Sequence, residues 1–386
     1  MDTVIIRIDT RLRDHLLSVS LSFGNELVAL LGRAGAGKTE ILRAVAGVYT
    51  PEHGVIELQG RTVFNAALTI NLPPPERHAG WAPHVTALFP KQTVFENVAF
   101  PLRKSGRFQR REAERRIIEV LELVSLQHLT RALPEELDDR QRYMLAIARA
   151  LVIDPDVLLL DQPYRDLDVG LQRQVRDDFK ELRRRISVPT LFATEDLEEA
   201  YGLADRIALI EDGRLLQFDT PRAVVTKPSN RSVADLVRSV NVFSGTVIEA
   251  FSDGAVVETP IGTLHVVGSA AREGDVEVVI RPEHIRVLPL AERPPRDANV
   301  LRGLVIEDEN LGPLHALTFL PNGARPGDVL EIAVSDLLHR ELELHRPGER
   351  NVILPAHAVH LMPRDPSLVA FDRVEAFDTI DPQEFQ

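Results

Sequence analysis

Residues Gly32, Arg33, Ala34, Gly35, Ala36, Gly37, Lys38 and Thr39 follow the spacing G-x-x-x-x-G-K-[ST], a phosphate-binding loop. In such a loop, successive backbone N–H groups form a concave nest around phosphate oxygens. The Lys38 ammonium is placed to reach the outer phosphates, and the Thr39 hydroxyl to ligate Mg²⁺. The apolar run 26–31 before the loop reads as a strand. Residues 39–46 after it read as a helix, whose N-terminal end adds positive potential where phosphates would sit. A second motif supports the first. Val157-Leu158-Leu159-Leu160-Asp161 is an apolar strand ending in an acid, the arrangement that holds Mg²⁺ in P-loop nucleotidases. Thr39 and Asp161 are therefore the candidate metal ligands.

Positioning these groups needs a sheet flanked by helices. Buried-strand patterns at 27–31, 157–160, 190–193 and 207–210 alternate with helical patterns at 112–124, 141–152, 170–186 and 197–204. That alternation predicts a mostly parallel, doubly covered α/β sheet over residues 1–238. Asp212-Gly213 between apolar runs predicts a hairpin. The breaker cluster Lys227-Pro228-Ser229-Asn230 and a short helical pattern follow. Beyond about residue 241 the pattern becomes short alternating segments separated by Gly, Pro and Asp turns. This predicts a small all-β domain in two barrel-like units, 239–290 and 297–363, and an acidic tail, 364–386.

A length of 386 residues suffices for two or three domains. The formal charge of −13 argues against nucleic acid as a partner. With no cysteine, disulfides and zinc–thiolate sites are excluded. No apolar run approaches a membrane span, and the first residues do not begin a signal peptide. These features predict a soluble, cytoplasmic chain that meets a membrane only through a partner.

Beyond the two nucleotide motifs, several blocks carry a family resemblance. They are Asn71-Leu72-Pro73-Pro74-Pro75-Glu76-Arg77, Ala87-Leu88-Phe89-Pro90 and Thr93-Val94-Phe95-Glu96-Asn97-Val98. Further on come Ala146-Ile147-Ala148-Arg149-Ala150-Leu151, Ala204-Asp205-Arg206-Ile207 and Ile280-Arg281-Pro282-Glu283-His284. Together they resemble the ATP-binding subunit of an ABC importer. The nearest group serves molybdate, sulfate, ferric iron, polyamines and sugars, and carries a C-terminal TOBE-type, OB-like β domain. The resemblance implies an ABC ATPase fold, ATP and Mg²⁺ as ligands, and membrane-spanning transporter subunits as partners. It also implies a second ATP-binding subunit docked head to tail, as a homo- or heterodimer. Each ATP would lie between the loop of one subunit and the LSGGQ signature of the other.

The positions that should hydrolyse ATP depart from that pattern. Gln162 replaces the acid that orients the attacking water. An amide cannot accept a proton usefully, and general-base assistance is worth about 10²–10⁴-fold in rate. Glu195 replaces the switch histidine. A carboxylate about 4 Å from a phosphate charge repels it by roughly 4 kcal/mol at an effective dielectric of 20. His84 aligns with the glutamine that senses Mg²⁺ and water. It reads as a metal or phosphate contact, or as a solvated loop residue. The signature becomes Leu137-Asp138-Asp139-Arg140-Gln141. Two carboxylates there repel phosphate, and side chains replace the glycines that allow close approach. Arg140 reads as a solvated charge, with a phosphate clamp as the alternative. Glu40 stands where a second hydroxyl usually meets the α-phosphate. His15 is a candidate to stack on adenine.

Three functions remain open on the sequence. One is a transport ATPase completed by His84 or a partner chain. Another is a docking subunit that binds ATP but hydrolyses it poorly. The third is a regulatory protein whose β domain reads a small ligand, with Arg281, His284 and Arg286 as candidates.

Overall fold

The computed structural model describes residues 3–83, 87–105, 109–163, 168–268, 274–289, 292, 298–346 and 348–364. The chain divides into two compact units at Pro221/Arg222, so residues 222–238 belong with the second unit.

In the first unit, strands Leu27–Leu31, Val157–Asp161 and Thr190–Thr194 are buried at every position. Strands covered on both faces read as continuous apolar runs, and these pair in parallel. Ala79–Ala82 and Arg206–Glu211 extend the parallel block on either side. Helices Lys38–Ala46, Asp139–Leu151, Val169–Arg185 and Leu197–Leu203 are set between the strands in sequence. Asp212 and Gly213 both adopt positive φ, and Glu211 pairs with Arg214, forming the expected hairpin.

The sheet is larger and more mixed than periodicity suggests. Among the described residues it has eleven strands, and beyond the hairpin strand Arg214–Asp219 it becomes an antiparallel arm. The arm contains Val4–Arg11, Leu16–Phe23, His53–Leu58, Arg61–Asn65 and Ile70–Asn71. Val4–Arg11 alternates buried with more exposed positions, as a strand with one face on the core should.

In the second unit, two five-stranded antiparallel sheets share one apolar core, forming the small all-β, OB-like domain. The expected division at 239–290 and 297–363 does not follow the sheets. Arg286–Leu288 pairs with Glu349–Leu354 in the later sheet, and Val359–Pro363 pairs with Gly274–Ile280 in the earlier one. The exchange lets Phe243, Val278, Phe319 and Val352 fill a common core. A sheet of some fifty residues could not bury its inner face alone. The acidic tail beyond Arg364, residues 164–167 of the segment after Gln162, and most of the Pro-rich stretch 292–297 lie outside the described residues.

Candidate nucleotide-binding site

Parallel register gathers the chemistry at one edge of the first sheet. Leu31 lies opposite Thr194, and Asp161 opposite Ala193. Three strands therefore end together, releasing the glycine loop, Gln162 and Glu195 side by side. Open α/β sheets hold ligands at this carboxyl edge.

The loop's shape follows from its glycines. Gly37, at φ 98°, precedes helix Lys38–Ala46, and a Cβ there would lie 2.8 Å from Leu17 Cδ1. Only glycine takes this backbone without strain. Arg33, Ala34 and Gly35 form an exposed rim, while Gly32 and Ala36 are buried. Lys38 is 3% exposed, and its Nζ donates to the carbonyl oxygens of Gly32 and Arg33, both at 2.8 Å. The ammonium thus sits across the mouth of the loop. Thr39 Oγ1 donates to Asp161 Oδ1 at 3.0 Å. A hydroxyl and a carboxylate in contact supply two hard oxygens of the kind Mg²⁺ takes, so the donors fit a Mg-nucleotide. Glu40 lies 3.9 Å from Arg43 Nη1, one turn along its own helix.

Gln162 adopts φ 46°, and its backbone N–H donates to Ala193 O at 3.0 Å. Its side-chain Nε2 donates to Glu195 Oε1 at 3.1 Å. The backbone around Glu195 is fixed from below. Asp196 caps helix Leu197–Leu203 through Glu198 N, and Thr194 Oγ1 accepts from Asp196 N. The Thr194 hydroxyl donates to the buried Glu199 at 2.6 Å. Burial pushes the Glu199 carboxyl above its ordinary range, against the opposing hydrogen bond from Thr194. His84 lies outside the described residues.

The stretch 137–141, expected to stand at the signature position, makes its hydrogen bonds within this chain. Asp138 is the N-cap of helix Asp139–Leu151, accepting from Gln141 N at 2.7 Å. The Gln141 side chain accepts from Asp138 N at 3.0 Å. Asp139 pairs with Arg142 at 2.7 Å, and Leu137 is buried. The helix's positive end is thereby met by two internal carboxylates. Arg140, expected as a solvated charge, is instead ion-paired, although its side chain remains 43% exposed. It forks onto Asp178 of helix Val169–Arg185, with Nη2–Oδ1 at 2.6 Å and a shorter Nε contact. That partner raises the Arg140 pKa. A planar guanidinium with a carboxylate in reach can form such a two-pronged pair.

The stretch after the glutamine position is built around one residue. Asn97 is fully buried, and its amide donates to the carbonyls of Phe89, Gln92 and Thr93 and accepts from Phe89 N. Arg149 donates to Ala87 O at 2.5 Å and lies over the Phe89 ring. Arg77 does similar work beneath the loop helix. Fully buried, it donates to Leu72 O, Ala44 O, Val45 O and Asn71 Oδ1, and burial lowers its pKa to about 10. The sequence places Arg77 in a motif but assigns it no role, because two of its four acceptors, Ala44 O and Val45 O, lie more than thirty residues away on the loop helix.

His15 closes a turn with Leu12, and its ring lies close to Gly213. In the second unit, Arg281 is engaged by Glu283 at 3.0 Å and by Val237 O at 3.4 Å.

Fold and loop together define a P-loop nucleotide-binding cassette. Residues 16–165 match the family model described as ABC transporter. The chain is 33% identical over 347 residues to the spermidine/putrescine import ATP-binding protein PotA of Aggregatibacter actinomycetemcomitans, covering 89% of each chain. It is 38% identical over 275 residues to the Fe(3+) ions import ATP-binding protein FbpC of Brucella melitensis, covering 71% of this chain and 76% of that protein. Among solved structures, cbiO1 from Clostridium perfringens, part of the ABC transporter complex cbiONQ, overlays with a TM-score of 0.51 at 21% identity. That overlay covers 58% of this chain and 90% of cbiO1, and is a likeness of fold. The chain belongs to the ABC transporter family of ATP-binding proteins. No helix among the described residues is long and apolar enough to cross a membrane.

Proposed function

We propose that this chain is the ATP-binding subunit of an ABC importer, docked on membrane-spanning subunits, with its own ATP hydrolysis impaired. One observation carries the reading: Lys38, Thr39 and Asp161 keep a binding constellation while Gln162 is hydrogen-bonded to Glu195 beside it. Loop N–H groups and Lys38 would hold the ATP phosphates, and Thr39 and Asp161 the Mg²⁺. The nucleotide supplies the phosphoanhydride bond. Gln162 can donate to a water or a phosphate oxygen but cannot take up its proton. Relatives named for ferric-ion and polyamine import support the importer assignment. Residues 87–103, ordered by Asn97 and Arg149, supply the docking surface for the membrane subunits.

The signature favours a heterodimer. Asp138 and Asp139 would face the partner's ATP, whereas this chain's loop would face an intact partner signature. ATP held there would persist as structural glue. The experiment is a Mg-ATP titration paired with phosphate release, for the isolated chain and with membrane subunits. Binding with little release is expected. Ordinary steady turnover by the isolated chain, or no binding at millimolar ATP, would overturn the reading.

The Gln162–Glu195 contact also favours a second reading. A glutamine orients the attacking water in some P-loop GTPases, and Glu195 stands one hydrogen bond away as a carboxylate to accept its proton. Under this reading Glu195→Gln abolishes turnover. Under the first there is little turnover to lose.

A further inference from the structure

The second unit contains a histidine–carboxylate cluster with no part in nucleotide binding. Asp308 lies on strand Asn299–Asn310 and His315 on strand Leu314–Pro321. Asn310 pairs with His315, which sets Asp308 two residues back, diagonal to the histidine on the same face. Leu314 pairs with Ser335, and Ser335 caps helix Asp336–Glu341, which carries His339. A hairpin and a capped helix thus bring together residues 31 positions apart.

The two imidazoles are buried, each side chain 7% exposed, while Asp308 is 28% exposed and opens the cluster to solvent. His315 Nδ1 lies 2.7 Å from Asp308 Oδ1, and His339 Nε2 lies 2.6 Å from Asp308 Oδ2. The rings stack with centroids 3.8 Å apart and planes 8° from parallel.

Tautomers make this arrangement informative. A neutral His315 that gives its Nδ1 proton to Asp308 turns an Nε2 lone pair toward its remaining neighbours. Nε2 is buried without a hydrogen bond, and the carboxylate of Asp336 is 3.4 Å away. A lone pair facing a carboxylate is repelled, so Nε2 calls for a proton. An imidazolium donating to both Asp308 and Asp336 meets that need. So does a metal ion held by the three converging ligand atoms of Asp308, His315 and His339, which all lie within 4.8 Å of one another. The ion takes the Nδ1 lone pair, leaving the proton on Nε2 to be donated to Asp336, the carboxylate–histidine–metal relay that commonly supports metal sites.

We propose that Asp308, His315 and His339 form a binding site for a divalent transition-metal ion of the zinc type. The ligands are His315 Nδ1, His339 Nε2 and an Asp308 oxygen, with Asp336 orienting His315 from behind. Two imidazole nitrogens and one carboxylate suit borderline ions such as Zn²⁺ and Co²⁺, whereas Mg²⁺ and Ca²⁺ prefer all-oxygen sets. Three protein ligands leave the exposed side for water or a further donor. Ligands about 2.0–2.1 Å from zinc stand roughly 3.3 Å apart in a tetrahedron, so the ion parts the present contacts by less than an ångström. Lone pairs lie in the ring planes, so one ring must also swing about its Cβ–Cγ bond, unstacking the pair. Asp336 is also held by Arg340 at 2.6 Å, which steadies it for its supporting role.

The test uses the full chain, stripped with chelator and held in excess Mg²⁺ to silence Thr39 and Asp161. Calorimetric titration with Zn²⁺ should give one site per chain and raise the melting temperature, since an ion binding only the folded state stabilises it. Cu²⁺ bound to the wild type should show two nitrogen couplings by electron paramagnetic resonance, a readout that needs no variant. His315→Gln and His339→Gln should each weaken Zn²⁺ binding by more than 100-fold. Asp336→Asn, though not a ligand, should weaken it by about 10–100-fold. His345, whose ring is 6.3 Å from that of His339, is the control, and His345→Gln should bind as the wild type does. A wild type without Zn²⁺ binding at micromolar concentration, or His315→Gln and His339→Gln chains that bind as tightly as it does, would overturn the site and leave a purely hydrogen-bonded cluster.

Discussion

Gln162 donates its amide proton to Glu195 across 3.1 Å at the carboxyl edge of the parallel sheet. The family resemblance sets a carboxylate at the first position and an imidazole at the second, so on our proposal the acid has moved to the second position and an amide fills the first. The two residues are therefore coupled, and substituting one alone does not rebuild the family site.

Gln162→Glu by itself would set two carboxylates about 3 Å apart, with repulsion of roughly 5 kcal/mol at an effective dielectric of 20. Phosphate release should stay within about twofold of the wild type. Adding Glu195→His, with Asp138→Ser, Asp139→Gly and Arg140→Gly, should raise it by about 10²–10⁴-fold. Steady-state phosphate release checks both steps. Full recovery from the single change would refute the coupling.

Asp138 has two separable properties, a cap and a charge. Asp138→Ala should cost about 0.5–2 kcal/mol by freeing Gln141 N, whereas Asp138→Ser keeps a capping oxygen and should cost little. Denaturant midpoints measure the difference. Asp138→Ser should also strengthen ATP-dependent dimer formation, read by sedimentation, because one repelling carboxylate is gone.

Arg77→Met removes the donors for Leu72 O, Ala44 O, Val45 O and Asn71 Oδ1, of which the contacts to Ala44 O and Val45 O are buried. Hydrogen bonds to a charged group contribute about 1.5–3 kcal/mol each, and buried acceptors left unpaired carry their own penalty. A loss of at least about 3 kcal/mol is expected, read as a lower urea midpoint with an unchanged slope. A shift under 1 kcal/mol would mean that the segments relax onto other partners.

Glu199 sets a pH dependence. Burial holds its carboxyl above the unfolded value of 4.5. An acid raised by folding keeps its proton longer in the native state, so rising pH favours the unfolded chain between the two values. Glu199→Gln removes that penalty. Its melting temperature should match the wild type below about pH 4.5, then exceed it increasingly, with the gap level once the folded carboxyl has ionised. An equal gap at every pH would assign the effect to packing.

Much of the first unit was legible because its signals are local. Strand Leu27–Leu31, the loop Gly32–Thr39 and helix Lys38–Ala46 are contiguous, and their periodicity and glycine spacing need no distant partner. The central strands ending in Asp161 and Thr194 announced themselves as unbroken apolar runs. The antiparallel arm did not. Val4–Arg11 and His53–Leu58 pair across some fifty residues, and half-buried alternation is a weaker signal than continuous apolarity.

The residue types alone set the expectation of a phosphate cradle, and of altered residues at the positions that the family resemblance assigns to cleavage. They could not decide where the replacement side chains point. Folding placed the Gln162 amide on Glu195, turned Arg140 onto Asp178, made Asp138 the cap of its own helix, and drew Asp308, His315 and His339 onto one another. The Asp138 cap is the local case, its partner only three residues on. The other outcomes depend on strand register and helix packing between separated elements. Such a side chain's partner is whichever group the closed sheet brings within reach, and no local spacing encodes it.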